Sequence, residues 1–346
     1  MNLDARIQSV MARVLSLPPD DIGPETSFWS IESWDSISHV ELIVALEKEF
    51  NVRLGAEEAA SILDYQSTRE TLARLNGGAE RTDRDLDSTG VVVLADQLKE
   101  FPFPEGCVLL VHSSFRAIGP VKGGPLAVIK ALQRVLLEVN GTLVMPTMTG
   151  RSQPDYRVDQ TATYDMGLLP ETFWRMEGVK RSTHPTSSFA AIGPLAEDLL
   201  RYHPLDRPEG PEGPLGRMYE RDGRILLLGV DHTASTTIHL AEYLENVPYQ
   251  TLQPVSRLSS SSLHRSMWCI SHCARNFNQV GDILNALELI QHLRVGCAEA
   301  QYITMRDVVS RTRKLLARDP LAFLCSSAQC SSCQQARMAG QTVSGE

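Results

Sequence analysis

The chain reads as an α/β protein in two parts, an all-helical unit over residues 1–76 and a larger unit over residues 91–340 in which strands alternate with helices. Three observations predict this division. Apolar residues recur at helical spacing through the first quarter, with no strand-like run among them. Beyond a polar, glycine-containing stretch, short apolar runs each end in Ser, Thr, Gly or Asp, the pattern of buried strands delivering polar groups to one sheet edge. The acidity is also lopsided. Residues 1–76 hold 13 Asp and Glu against 6 Lys and Arg, a net of −7 out of −9, so the other 270 residues stand near −2.

A chain of 346 residues exceeds one small core and predicts two domains. Its 42% hydrophobic and 22% charged residues are ordinary for a soluble globular protein. The opening Met-Asn-Leu-Asp-Ala-Arg has no apolar leader, and no run is long enough to cross a bilayer, so no membrane partner is expected. Seven cysteines, an odd number, fit reduced thiols in the cytoplasm. Net acidity without a basic stripe excludes a nucleic-acid partner.

In the helical unit, Ile7, Val10, Met11, Val14 and Leu15 mark a first helix that Pro18-Pro19 ends. A later helix runs to Phe50, with Ile37, Val40, Ile43, Leu46 and Phe50 as its buried stripe and Glu41, Glu47 and Glu49 as a solvated face. Asp35, in Trp34-Asp35-Ser36-Ile37, caps this helix. Ser36 therefore falls at a helix N-terminus, where unpaired amides and the helix dipole favour a phosphodiester. The acidic surface suits docking to basic patches on partner enzymes. With its Asp35-Ser36 pair, the helix to Phe50 and the segment from Leu54 to Leu75, the unit resembles the acyl or peptidyl carrier family. That resemblance implies 4′-phosphopantetheine joined covalently to Ser36 by a phosphopantetheinyl transferase, and a separate enzyme that loads an acyl group onto it. Read without the resemblance, an acidic helix bundle in which Ser36 only neighbours a cap remains open.

Residues 77–90, polar and glycine-containing from Gly77-Gly78 onward, read as a flexible linker. Order resumes near Val91, and residues 341–346 read as a frayed tail. Strands are expected at Val108-Leu109-Leu110-Val111, Leu143-Val144-Met145 and Ile225-Leu226-Leu227-Leu228. An amphipathic helix over residues 125–139 places Val128, Leu132, Val135 and Leu136 on one face, after Val121-Lys122-Gly123-Gly124. Ser259-Ser260-Ser261-Ser262 reads as a low-complexity loop.

A series of words in the larger unit resembles the aminoglycoside 3-N-acetyltransferase family. They are Val111-His112-Ser113-Ser114-Phe115, Gly123-Gly124, Gly141-Thr142-Leu143-Val144-Met145-Pro146-Thr147, Arg181-Ser182-Thr183-His184-Pro185, Leu226-Leu227-Leu228-Gly229-Val230 and Thr236-Thr237-Ile238-His239-Leu240-Ala241-Glu242. The resemblance runs from about residue 91 to beyond 320. It implies an α/β/α sandwich that binds coenzyme A as acetyl-CoA and acylates an amine. One departure stands out: the family's Ser-Pro-Leu-Gly is Gly213-Pro214-Leu215-Gly216 here, which removes the serine's contribution to the acceptor site.

Acyl transfer from a thioester to an amine needs a base, oxyanion donors and a pantetheine site. His184, in a polar loop and at the family position, is the expected base, with Glu242 as its orienting carboxylate. His239 lies three residues before Glu242 on one helix and is expected to face the acceptor in the same cleft. Gly123 and Gly124 permit close backbone approach to a phosphate or pantetheine amide, Lys122 adds charge, and Ser113 and Ser114 end a strand near the thioester. Asp206 and Glu212, in an acidic proline-rich loop, suit a cationic amine. The bland readings are a satisfied buried histidine for His184, a surface pair for His239 and Glu242, and capping for Ser114.

Cys325-x4-Cys330-x2-Cys333 offers three thiolates, with Cys269, His272 or Cys273 as a fourth ligand. Only one C-x2-C pair is present, and Ser326, Ser327, Ser331 and Ser332 read as loop. Free thiols and no metal are the expectation. Taken together, the chain is expected to be an N-acyltransferase of natural-product biosynthesis, moving an acyl or aminoacyl group from the Ser36 arm to a small-molecule amine. Two alternatives stay open: an acetyl-CoA-dependent, aminoglycoside-type N-acetyltransferase, and a carrier with a non-catalytic docking domain.

Overall fold

The computed structural model describes residues 2–76, 88–150, 156–254 and 266–343. The expected linker core at 77–87 and the serine run at 259–262 lie outside these.

The helical unit comprises α1 (Leu3–Leu15), α2 (Ser36–Phe50), α3 (Ala56–Ser61) and α4 (Tyr65–Asn76). Ser16, in the left-handed conformation, closes α1 before Pro18-Pro19 is reached. Asp35 caps α2, its Oδ1 accepting from the amides of Ile37 and Ser38 at 2.9 and 2.8 Å. The buried face of α2 is His39, Leu42, Ile43, Leu46 and Phe50, joined by Val40, whereas Ile37 is 41% exposed. Ile37 is off the stripe because residues 39, 42, 43, 46 and 50 keep the helical period and 37 does not.

The larger unit runs α5 (Ser88–Leu98), β1 (Val108–Ser113), α6 (Phe115–Ile118), α7 (Gly124–Leu137), β2 (Thr142–Pro146), α8 (Leu168–Trp174), β3 (Lys180–Arg181), β4 (Phe189–Ile192), α9 (Ala196–Leu200), α10 (Pro214–Glu220) and β5 (Arg224–Leu228). It continues with α11 (Thr237–Leu244), β6 (Gln250–Pro254), β7 (Ser266–Ile270), α12 (Asn278–Ala286), β8 (Gln291–Val295), β9 (Ala298–Thr304), α13 (Met305–Leu316) and α14 (Ser331–Val343). Three expectations change here. Helix resumes at Ser88, inside the stretch read as linker, and Ser331 and Ser332 open α14 rather than lying in a loop. Residues 341–343 are likewise helical, not frayed.

Seven strands form one sheet in the order β3-β4-β2-β1-β5-β9-β8, with β1 parallel to both β2 and β5 and the remaining pairs antiparallel. Alternation sends side chains to opposite faces. Leu109, Val111, Leu143, Met145, Leu226 and Leu228 enter a core with α5, α7, α8 and the helical unit. Val108, Leu110, Val144, Ile225 and Leu227 enter a second core with residues of α9 to α14. The result is an α/β/α sandwich whose first layer is completed by the N-terminal helices.

The seat of those helices is specific. Arg116 Nη2 donates to the carbonyls of Phe28, Ile31 and Trp34 at 2.8, 2.9 and 3.1 Å, and its guanidinium lies 5.2 Å from the Phe28 ring centroid. Phe115 packs on Phe28 and Trp29 at centroid distances of 5.9 and 5.7 Å. Glu47, expected on a solvated face, instead pairs with buried Arg175 at 2.8 Å, and Arg175 also reaches the Leu54 carbonyl and Glu171. Hydrogen bonds from a charged group contribute about 1.5–3 kcal/mol each, so these two arginines are anchors of the seat.

Candidate active site

A cavity of about 610 Å³ opens at the carboxyl ends of the parallel strands β1, β2 and β5, the edge where open α/β sheets place ligands. His112 and Ser113 reach it from β1, Thr149 from beyond β2, and Thr236 and His239 from the start of α11.

His239 and Glu242 share one face of α11. His239 Nδ1 lies 2.6 Å from Glu242 Oε2. The other carboxylate oxygen accepts from His272 Nε2 at 2.9 Å and from the Tyr249 hydroxyl at 2.5 Å. His272 Nδ1 in turn accepts from the Ala274 amide, which fixes its proton on Nε2. Burial opposes the charge on Glu242, but the two histidine hydrogen bonds outweigh it and hold the carboxyl at about 2. Burial likewise opposes charge on His239, yet the Glu242 bond and charge, with Glu209 adding, lift its pKa above 6.5. His239 keeps 22% of its side chain exposed, in the cavity wall, with Nδ1 held by Glu242. Its Nε2 is the ring nitrogen not engaged by Glu242.

His184, the expected base, is wholly buried and lies outside the cavity wall. Its Nδ1 accepts from the amides of Ser187 and Thr186 at 2.9 and 3.2 Å, so Nε2 carries the proton, 3.3 Å from the Leu205 carbonyl. Both nitrogens are spent on backbone, and the ring packs on His203 at 4.8 Å. His184 positions the loop whose Thr186 and Ser187 do line the cavity.

The other expectations divide. Ser113 lines the cavity with its buried Oγ lacking a partner among the described residues. Ser114 caps α6 through the Ala117 amide. Gly123, Gly124 and Lys122 are not in the cavity wall. Gly124 has φ 61°, and a Cβ there would lie 3.2 Å from the Ala60 carbonyl, so this turn serves the seat of the helical unit rather than a pantetheine pocket. Asp206 Oδ1 is taken by the Trp268 amide at 2.6 Å, and Glu212 is exposed away from the cavity. The acidic groups that do line it are Glu209 and Asp165, neither singled out by sequence reasoning. Proximity in the Pro208-Glu209 turn was the available signal for Glu209. Tyr249, Arg116 and Arg175 were also missed, and His272 was named only as a possible metal ligand, because each acts across a fold that brings separate elements together.

Ser36 is not in the cavity wall but lies beside the segment that forms part of it. Gly167, φ 83°, is wedged between it and the wall: a Cβ on Gly167 would lie 3.5 Å from Ser36 Cβ and 4.0 Å from the Ser113 carbonyl. Asp165, Met166 and Pro170, flanking that glycine, line the cavity. A half-buried serine at a capped helix start beside a 610 Å³ cavity fits a phosphopantetheine attachment point.

Two groups of side chains place metal-ligating atoms within 4.8 Å of one another, His239–Glu242–His272 and Cys273–Cys325–Cys330–Cys333. In the first, the contacts to Glu242 are hydrogen bonds already served by protons. In the second, Cys273 joins the three C-terminal cysteines, while His272 is committed to Glu242. Of the three candidates for a fourth ligand, Cys273 is the one at hand.

Sandwich, cavity and buried histidine–carboxylate pair together make an enzyme site with a histidine oriented at the carboxyl ends of the parallel strands. Residues 110–317 match the aminoglycoside 3-N-acetyltransferase family, and residues 5–75 match the phosphopantetheine attachment site family. The chain belongs to the aminoglycoside 3-N-acetyltransferase family and carries an N-terminal phosphopantetheine-binding domain. It is 42% identical to aminoglycoside N(3)-acetyltransferase IV of Salmonella sp over 67% of this chain and 88% of that protein. It is 32% identical to the SPbeta prophage-derived aminoglycoside N(3′)-acetyltransferase-like protein YokD of Bacillus subtilis (strain 168), over 64% and 90%. The crystal structure of the aminoglycoside acetyltransferase AAC(3)-IVa apoenzyme superposes with a TM-score of 0.67 at 39% identity, covering 72% of this chain and 97% of that one. A mutant of that enzyme in complex with a gentamicin gives 0.66 at 38% identity, covering 71% and 95%. No helix among the described residues is long and apolar enough to cross a membrane.

Proposed function

We propose that this N-acyltransferase moves an acyl group from a thioester on the Ser36 arm to an amine of an aminoglycoside-type acceptor, with His239 as base. The observation that carries the reading is the juxtaposition of Ser36 with the cavity wall across Gly167. The arm supplies the acyl group as a thioester. Nε2 of His239 takes a proton from the acceptor nitrogen as the N–C bond forms, and returns it to the sulfur as the C–S bond breaks. Glu242 offsets the charge on His239 in between, held in place by His272 and Tyr249. Ser113 Oγ, buried at the cavity edge, is the donor available to the carbonyl oxygen. Glu209 and Asp165 attract a polycationic acceptor.

A second reading, acetyl-CoA as the diffusible donor at the same base, is favoured by the acetyltransferase names of the relatives. The two are separated by loading the arm with an acyl group through a promiscuous phosphopantetheinyl transferase and acyl-CoA, removing free CoA, then adding gentamicin. Discharge of the wild-type arm onto the acceptor, absent in His239→Ala, supports delivery from Ser36. A stable acyl arm alongside acetyl-CoA turnover that is equal in wild type and Ser36→Ala rejects it in favour of CoA.

A further inference from the structure

The four cysteines near the C-terminus fall outside the reaction, yet they converge. Cys273 follows His272 in the loop before α12, Cys325 lies in the loop after α13, Cys330 precedes α14, and Cys333 is in its first turn. Their sulfurs lie within 4.8 Å of one another, and Cys333 Sγ is 3.6 Å from Cys273 Sγ. Tetrahedral zinc with Zn–S bonds of about 2.3 Å has sulfur–sulfur edges of about 3.8 Å. The measured edge is close to that value and far beyond the roughly 2.05 Å of a disulfide.

We infer that Cys273, Cys325, Cys330 and Cys333 form a structural zinc site. The chemistry favours it over packed thiols. Cys325 and Cys333 are buried and the other two half-buried, so the site is closed, with four protein ligands and none left for water, as structural zinc requires. Cys330-x2-Cys333 has the knuckle spacing, and the α14 N-terminus stabilises the thiolates there. Four S–H protons leave to solvent as four Zn–S bonds form, with no change of oxidation state. Arg337, one turn further along α14, donates to the carbonyls of Leu324 and Cys325 and holds that arm of the site.

The site joins two segments about fifty residues apart in sequence. One of them carries His272, which is hydrogen-bonded to Glu242 and stacked on Phe323 at 6.5 Å. Zinc thereby staples the C-terminal helix to the loop that orients the buried carboxylate.

The test is metal analysis of the full chain, purified under reductant from zinc-supplemented medium. One zinc per chain is expected, released by a mercurial thiol reagent, lost in Cys330→Ser and Cys273→Ser, and retained in Cys297→Ser, whose cysteine is exposed and outside the cluster. Stripped wild type refilled with cobalt(II) should show the intense spectrum of a tetrahedral thiolate site, which keeps the test decisive if a serine variant fails to fold. Purification without zinc, with iron in its place, or as a chain lighter by two hydrogens per disulfide under non-reducing mass spectrometry would overturn the assignment.

Discussion

Glu242 keeps its charge in a wholly buried position because three protons reach its two oxygens, from His239, His272 and Tyr249. Glu242→Gln removes the charge that lifts His239 and is expected to lower turnover by about 10²–10⁴-fold, the span of general acid–base catalysis. His239 acts as base only when unprotonated, so wild-type turnover at saturating acceptor should fall as pH drops through a value above 6.5. In Glu242→Gln that limb should move to lower pH, because burial is then opposed only by the charge of Glu209. A limb that stays put would show that another group titrates. The same carboxylate links folding to pH. Its folded pKa is depressed from 4.5 to about 2, so its contribution to stability is present above about 4.5 and lost as pH falls toward 2. His184→Ala should behave differently. It orphans buried amides that each cost about 1–3 kcal/mol, so thermal denaturation should show a lower midpoint while folded protein below the transition retains turnover.

Among the elements, α6 and α8 matter through one arginine at or just past each. Arg116 holds three carbonyls of the loop before α2, and Arg175 holds Glu47 on α2 itself. Together they fix the start of α2, and therefore Ser36, against Gly167. Arg116→Ala should loosen this seat. The expected outcome is a larger radius of gyration in small-angle scattering and slower discharge of an acyl arm, with little change in turnover from a diffusible thioester. Equal slowing of both would place Arg116 in the reaction rather than in the seat. Gly124 is the matching steric point: at φ 61° with the Ala60 carbonyl 3.2 Å from a would-be Cβ, any side chain pushes α3 away.

For the whole molecule, the N-terminal helices are both the carrier and part of the cover over one sheet face, since their apolar residues run into the same core as Leu109 and Leu226. Deleting residues 1–76 is therefore expected to lower the thermal midpoint of the remaining chain and expose apolar surface to a dye such as ANS. Under the proposed delivery from Ser36, covalent tethering would make donor delivery unimolecular, at an effective concentration of about millimolar. The single-turnover rate of the loaded chain should then be independent of its concentration over a hundred-fold dilution. A rate that rises linearly with concentration would mean that the arm serves a second molecule instead.

The helical unit, the alternating α/β unit, the Asp35 cap that sets Ser36 at a helix start and the membership of His239 and Glu242 in one helical face were all legible in the sequence. Each rests on local spacing: the 3.6-residue period, a cap beside its helix, or two residues three apart. The family words added the sandwich. That His184 stays out of the cavity was not legible, because a polar loop around a histidine does not show which backbone groups meet its two nitrogens once the loop is packed. The same holds for Glu209 over Asp206, for Gly124 as a docking point, and for the choice of Cys273 over Cys269 and His272 beside the three C-terminal cysteines. Those outcomes depend on contacts between distant segments, whose energies come from burial and hydrogen-bond geometry. A local pattern has no access to either until the chain has closed around them.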